Sequence, residues 1–534
     1  MDSSFTRRRL LKYGTVGVAS LGFGLNGAWR AGAEDSSFDQ LRDVIDPCFD
    51  ESPVGPAFLQ DLVIPPALGP STQTAGADVY KIEERRGTAE IVPGVSTPIW
   101  GYDGLLPGPT ILARKGRPVD VVFTNGLPPD EDPTGLIDLQ PVDPAIYHFT
   151  PSSTVVHLHG INTDHASDGY PEEVRRPGES FTHHYPNNEY QRPATFWYHD
   201  HSVHITSLHV YRGLAGFYIL TDENEDALNL PKGYGVHDIP LLVKDVMIDP
   251  SSGVLLYNNC SHAGAYGDVM TVNGKQQPRF DVATRKYRFR LLNGSDSRQY
   301  LLALQLASEV GSEQAVNQPF FVIGSDQGLL AAPELSDRVH IAPSERYEIV
   351  VDFSRYPVGT RLVLVNLLID PAKLKIFQIM AFDVTRAETD ESTVDPVLRT
   401  AQHPADAEAP SQTRVFQFNR DGGYFSINGR QWDPLRVDAF PVLNTTEEWV
   451  LVNESGGWGH PVHIHLGRFR IVGIEGRAPR PGESGFKDVV WVGPNQTIRV
   501  VHQFWDFTGR FVFHCHNGSH EDHDMMSQFE VVPG

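Results

Sequence analysis

Cysteine and methionine are scarce in this chain: three cysteines and six methionines stand among 534 residues. No two cysteines lie close together and no His-Glu-x-x-His segment occurs, so the usual zinc-site patterns are missing. Apart from Met525-Met526 the methionines are dispersed, which leaves out a methionine-rich segment of the kind that selects soft Cu(I). Positive charge is short as well. Against 67 acidic residues there are 44 basic ones, and the formal charge of -23 repels phosphate backbones and anionic lipid. That balance speaks against nucleic acid as a partner. Beyond the N-terminal stretch, no apolar run approaches the length of a membrane span.

The N-terminal stretch itself reads as an address. Thr6-Arg7-Arg8-Arg9-Leu10-Leu11-Lys12 precedes a glycine-diluted apolar segment ending near Trp29, and Ala31-Gly32-Ala33 offers a small-residue cleavage site. The pattern is similar to a twin-arginine signal. It predicts a signal peptide over 1–33, handling by the twin-arginine export machinery, a periplasmic or extracellular location, and no stable membrane insertion after cleavage. In an exported chain a disulfide between Cys48 and Cys260 can persist, and the sequence leaves that pairing open.

What the chain has in quantity is turn formers, 48 glycines and 40 prolines, between short apolar segments: Val119 to Phe123, Tyr287 to Leu292, Arg346 to Phe353, Glu448 to Val452 and Gly509 to Phe513. That is an all-β pattern, with one short helix expected around Ser202 to Tyr211. A repeat runs through it. The turns Tyr102-Asp103-Gly104, Val272-Asn273-Gly274 and Ile427-Asn428-Gly429 each lead to a similar strand, VDVVFTNG, YRFRLLNG and EEWVLVNE. After an N-terminal extension over 34–78, three units follow at 79–225, 226–386 and 413–534. The polar, proline-containing stretch 387–412 reads as a linker between the second and third.

Histidine is distributed unequally over the units. The first contains His157-Leu158-His159 and His199-Asp200-His201, and the third contains His463-Ile464-His465 and His514-Cys515-His516. The middle unit has no such pair and reads as a spacer holding the outer two face to face. Side chains alternate along a strand, so His514 and His516 face one way and Cys515 the other. Eight imidazoles in four pairs imply a metal cluster shared by the outer units. On the opposite side, Cys515 with His520, Met525 and a further imidazole makes the soft ligand set of a blue-copper electron-transfer centre. The first unit has Thr154, Asp200, Ile205 and Val210 where the third has His460, Cys515, His520 and Met525, so one such centre is expected.

With HLHG from His157, WYHDH from Trp197, HPVHIH from His460 and HCHNGSHEDHDMM from His514, the sequence resembles the three-domain multicopper oxidases. SDGYPE from Ser167 and HEDHDMM are similar to the bilirubin oxidase and bacterial spore-coat laccase branch. The resemblance implies three cupredoxin-like Greek-key β-sandwich domains and four copper ions. Type 1 copper falls to His460, Cys515 and His520, with Met525 as the weak axial ligand, and type 2 copper to His157 and His463. A type 3 pair takes His159, His199, His201, His465, His514 and His516. Asp168 and Glu521 occupy positions where the branch has carboxylates beside the oxygen-reducing cluster, which makes them candidate proton donors. The implied reaction takes single electrons from a small reducing substrate (a phenol, aryl amine or linear tetrapyrrole) at an exposed edge of a type 1 histidine and reduces dioxygen to water. Two other readings remain: oxidation of Cu(I) or Fe(II), and a non-enzymatic exported binding protein.

Overall fold

Each of the short apolar segments becomes part of a strand: Val119–Asn125, Lys286–Asn293, Arg346–Asp352, Thr445–Asn453 and Gly509–Cys515. The structure, a computed structural model, describes residues 45, 49–129, 150–257, 264–400 and 409–534. The export signal, Cys48 and Cys260 lie outside the described residues, as does the middle of the 387–412 stretch.

Among the described residues six sheets form, and they fall into three pairs, each drawn from one continuous length of chain. Two five-stranded sheets take strands between Ala67 and Thr221. An eight-stranded and a six-stranded sheet lie between Asp238 and Arg386, and a six-stranded and a four-stranded sheet between Gln412 and Val531. The repeat seen in the sequence reappears as one pairing rule. The strand ending each VDVVFTNG-like marker runs parallel to the first long strand of its unit: Asp78–Ala89 beside Val119–Asn125, Asp238–Ile248 beside Lys286–Asn293, Gln412–Asp421 beside Thr445–Asn453. On its other edge the marker pairs antiparallel with Ser180–Tyr185, Arg346–Asp352 or Thr497–Phe504. A parallel neighbour cannot be reached by a hairpin, so the chain crosses between sheets, and three cupredoxin-like Greek-key sandwiches result.

The turns between strands carry the conformation their residues imply. Asp103-Gly104, Asn273-Gly274 and Asn428-Gly429 all have positive φ at both residues, between 49° and 74°, which Asn, Asp and Gly tolerate and β-branched residues do not. The expected helix forms over Thr206–Arg212 and ends at Gly213, whose φ of 126° few other residues adopt.

Each sandwich closes on its own apolar core. Tyr80, Val121, Phe123 and Phe196 fill the first, Phe289, Leu291 and Ile349 the second, Trp449, Phe511 and Phe513 the third. Phe513 lies 5.2 Å from Trp449 between ring centroids, on the strand that carries His514 and Cys515. Truncating such a residue costs roughly 3–5 kcal/mol, so core packing holds this strand independently of any metal. Among the described residues no helix is long and apolar enough to cross a membrane.

Candidate metal centre

Antiparallel register brings the histidine pairs together. In the first unit Val156–His159 pairs with Thr195–Asp200 so that His157 stands opposite His199. In the third unit His460–Ile464 pairs with Gly509–Cys515 so that His463 stands opposite His514 and Val462 opposite Cys515. Alternation does the rest. Leu158, Val462, Ile464 and Cys515 point into the sandwich cores, and their histidine neighbours point the other way. His460 shares the parity of Val462, so it lies on the cysteine side.

The eight imidazoles meet between the outer units, all of them buried. Three groups of possible ligand atoms result, each with its atoms within 4.8 Å of one another: His157, His159 and His463; His159, His199 and His516; His201, His465 and His514. Rings from the two units stack in pairs, His159 on His463 at 3.7 Å and His157 on His465 at 4.0 Å between centroids. The Nε2 atoms of His201 and His465 come within 3.2 and 3.3 Å of His514 Nε2.

Outer ring nitrogens are anchored to the protein. His157 Nδ1 donates to the Asp168 carbonyl at 2.6 Å, His463 Nδ1 to the Asp488 carbonyl at 2.7 Å and His199 Nδ1 to the Asp200 carbonyl at 2.7 Å. Each bond fixes a tautomer and leaves Nε2 bare. The Nε2 atoms of His157, His199, His463 and His516 and Nδ1 of His159 are buried without a hydrogen-bond partner. An unpartnered buried polar atom costs roughly 1–3 kcal/mol, so five such atoms facing one another fit a site built for metal. Burial, reinforced by neighbouring imidazoles, also pushes His157, His159, His199, His463, His465 and His516 well below the ordinary value, and His201 down to about 4. All seven are therefore neutral at physiological pH, the form that ligates.

On the far side of the Gly509–Cys515 strand, Cys515 Sγ lies 3.3 Å from His460 Nδ1 and 3.5 Å from His520 Nδ1. These three form the fourth ligand group. Asn517 caps the short helix Gly518–Asp522 that presents His520, and Ser455 Oγ engages the outer Nε2 of His460 at 2.6 Å. Met525 is fully buried, and its carbonyl accepts from Cys515 N–H at 3.0 Å, so the backbone holds it beside the cysteine. Burial alone lowers His460 to about 3.

The two candidate acids both touch ligand histidines. Asp168 Oδ2 accepts from His465 Nδ1 at 2.8 Å, and burial, aided by Asp164, raises its carboxyl well above the usual range. Glu521 Oε2 lies 3.0 Å from His514 Nδ1 and Oε1 3.6 Å from His201 Nδ1. Burial pushes Glu521 up, but His514 and His201 outweigh it and leave it below the ordinary value.

Two family models, each described as multicopper oxidase, match residues 147–225 and 403–534. The chain is 36% identical over 506 residues to a bilirubin oxidase of Albifimbria verrucaria, covering 90% of this chain and 82% of that one. It is 33% identical over 534 residues to a laccase of Bacillus subtilis, covering 89% and 98%. The chain belongs to the multicopper oxidases. Among solved structures, a multi-copper oxidase from Pediococcus acidilactici superposes with a TM-score of 0.79 at 28% identity, covering 94% of this chain and 96% of that one. This multicopper oxidase is thus an oxidoreductase of a copper-using family, and its histidine clusters are compatible with copper.

Two features depart from the sequence reading. His520 presents no exposed edge: it is fully buried beneath Phe425, stacked on it at 3.9 Å, with Trp458 at 5.8 Å and the Arg420 guanidinium 4.9 Å from the Trp458 ring. Sequence alternation gives no sign of this cover, because Phe425 comes from the separate hairpin strand Tyr424–Ile427. Nor is the middle unit a mere spacer. Its Arg346 and Gln327 bind Asp488, a buried third-unit carboxylate that no histidine motif announces.

In the first unit the place corresponding to the cysteine centre is a hydrogen-bonded polar cluster. Thr154 Oγ1 donates to Glu84 Oε2, while Asp200 accepts from His209 Nδ1 at 2.8 Å and from Ser202 Oγ at 3.0 Å. Burial, opposed by the Thr154 hydrogen bond and aided by Asp200, raises Glu84 from 4.5 to about 8. Folded Glu84 keeps its proton up to about pH 8, whereas the unfolded chain loses it near 4.5. Its contribution to stability is therefore complete below pH 4.5 and is lost as pH rises to about 8, a difference of about 4–5 kcal/mol. Glu84→Gln, which stays neutral, is expected to gain stability relative to the parent across that window in urea unfolding; two curves parallel in pH would contradict the assignment.

Cys515→Ser replaces the soft thiolate with a poor, hard ligand. The expected result is loss of the blue absorption and of organic-substrate oxidation with the fold intact by circular dichroism. Retained intense blue colour would show that Cys515 is not the ligand.

Proposed function

We propose that this multicopper oxidase is a laccase-like or bilirubin-oxidase-like enzyme that oxidises phenols, aryl amines or linear tetrapyrroles one electron at a time and reduces dioxygen to two waters. The observation that carries the reading is the two-sided strand Gly509–Cys515, with a thiolate group on one face and the shared imidazole groups on the other. In this reading four copper ions would be held: one by His460, Cys515, His520 and Met525, one by His157 and His463, and a pair by His159, His199, His516 and His201, His465, His514. Bound copper supplies the one-electron redox chemistry and the dioxygen reduction.

The chain's own residues shape both ends of that reaction. Phe425, itself buried, and the half-buried Trp458 cover His520, so a reducing substrate meets Trp458 and the Arg420 guanidinium over it rather than the imidazole itself. Cys515 is joined by backbone to His514 and His516 and gives a short covalent path between the two faces. Anchored outer nitrogens hold the imidazoles in place without rearrangement during turnover. Asp168 and Glu521, in contact with His465 and His514, are placed to pass protons towards the shared site.

Export belongs to the same proposal: a signal peptide over 1–33 read by the twin-arginine machinery, and function in the periplasm or outside the cell. So do sandwich boundaries at 79–225, 226–386 and 413–534, with 34–78 as an extension and 387–412 as a linker. The name bilirubin oxidase belongs to one relative and laccase to others. An oxygen-uptake panel of a methoxyphenol, bilirubin, Cu(I) and Fe(II) on the copper-loaded protein tests the substrate class. Oxidation of the organic reductants with appreciable specificity is expected. If only the metal ions are oxidised, the metallo-oxidase reading replaces this one, and no uptake with any of the four would leave the non-enzymatic reading.

A further inference from the structure

The guanidinium of Arg346, with the neighbouring Gln327 amide that reaches the Gly160 carbonyl and Asp488, ties all three sandwiches together next to the histidine cluster. Arg346 opens the middle-unit strand Arg346–Asp352 and is completely buried. Arginine has five N–H donors, and each finds an acceptor. Nε donates to the Thr195 carbonyl at 3.1 Å, at the start of the first-unit strand that carries His199. One terminal nitrogen donates to the Ser344 carbonyl at 3.0 Å and Asp488 Oδ1 at 2.6 Å, the other to the Asp326 carbonyl at 3.1 Å and Asp488 Oδ2 at 2.5 Å. The fork-on-fork pair with Asp488 is the geometry only arginine provides.

Asp488 in turn holds two cluster histidines by opposite nitrogens. Its Oδ1 accepts from His159 Nε2 at 3.1 Å, and its backbone carbonyl accepts from His463 Nδ1 at 2.7 Å. The nitrogens left bare are His159 Nδ1 and His463 Nε2, on two residues of one group of possible ligands although their rings come from different units. A second feature points to the same contact. Gly160, directly after His159, has φ +89°, and a Cβ there would stand 2.3 Å from Asp488 Oδ2 and 2.8 Å from Arg346. The glycine of the HLHG segment is therefore required by the approach of the Arg346–Asp488 pair.

We propose that Arg346 is a positioning residue for the copper cluster: through the Asp488 carboxylate it sets which nitrogen His159 presents and holds in place the backbone carbonyl that orients His463, so the middle unit controls the geometry of a site to which it gives no ligand. The proposal rests on the reading that these imidazoles hold copper. Arg346→Lys keeps the charge but cannot form the fork, and Asp488→Asn keeps the size but loses the carboxylate. Loss of an orienting partner of a metal-bound histidine typically costs ~10- to 100-fold in metal affinity.

The test titrates copper-loaded parent, Arg346→Lys and Asp488→Asn with a Cu(II) chelator, following copper per chain, the electron paramagnetic resonance of the cluster copper and the blue absorption of the cysteine centre. Both variants are expected to lose cluster copper at least about tenfold more readily, with an altered cluster resonance, while the blue centre keeps the parent's chelator resistance. Cluster copper held as tightly as in the parent would overturn the proposal. So would parallel loss from both centres, which marks a general loosening of the fold, or failure of both variants to fold. A parent protein that holds copper only at the cysteine centre would instead overturn the underlying cluster reading.

Discussion

Alternation of side chains along a strand is the constraint on which the centre depends. Because successive residues face opposite ways, one residue between two histidines is committed to the sandwich core while the histidines leave it. In Gly509–Cys515 and the residue after it, that places Cys515 among Trp449, Phe511 and Phe529 and turns His514 and His516 towards the first unit. A one-residue slip in the His460–Ile464 pairing would exchange the two faces and dismantle both ligand groups at once. Register is held by the apolar partners: Val462, Ile464 and Phe513 must all be buried on the cysteine side.

Packing eight imidazoles into one buried space is unfavourable without a metal, and the fold offsets that cost at the outer nitrogens. Carbonyls of Asp168, Asp200 and Asp488 accept from His157, His199 and His463, so half of each of these rings is satisfied by backbone already ordered in strands and loops. The inner nitrogens stay bare and neutral. A site prepared in this way loses little freedom on binding, and metal affinity appears as stability of the folded chain.

The middle sandwich contributes charge where the outer two contribute ligands. Around Asp488 lie Arg346, Lys487, Asp326 and Glu345, all buried, with Lys487 Nζ 2.9 Å from Asp326 and 3.1 Å from Glu345. Removing one member of such a network leaves its partner buried and unpaired, which is far costlier than losing a surface ion pair. A second interdomain network joins Arg288 and Arg290 to Glu225, Asp238 and Glu348, the last also bound by Thr195 of the first unit. Relative placement of the sandwiches, and hence the stacking of His159 on His463, is thus specified by directional ionic contacts as well as by apolar burial.

The sequence by itself determined the β class, the three repeated units, the histidine pairs and the unique cysteine face, because each depends on short periodic patterns or on spacing along one strand. The paired Asp-Gly and Asn-Gly turns were legible for the same reason: their left-handed backbone is a local property of those residues. Tertiary structure alone decided the rest. Phe425 over His520, Arg346 on Asp488, and Glu84 beside Thr154 join residues 95, 142 and 70 positions apart. No local pattern encodes such contacts, since arginine, aspartate and glutamate read as solvated surface until the packing of neighbouring sandwiches removes the water around them.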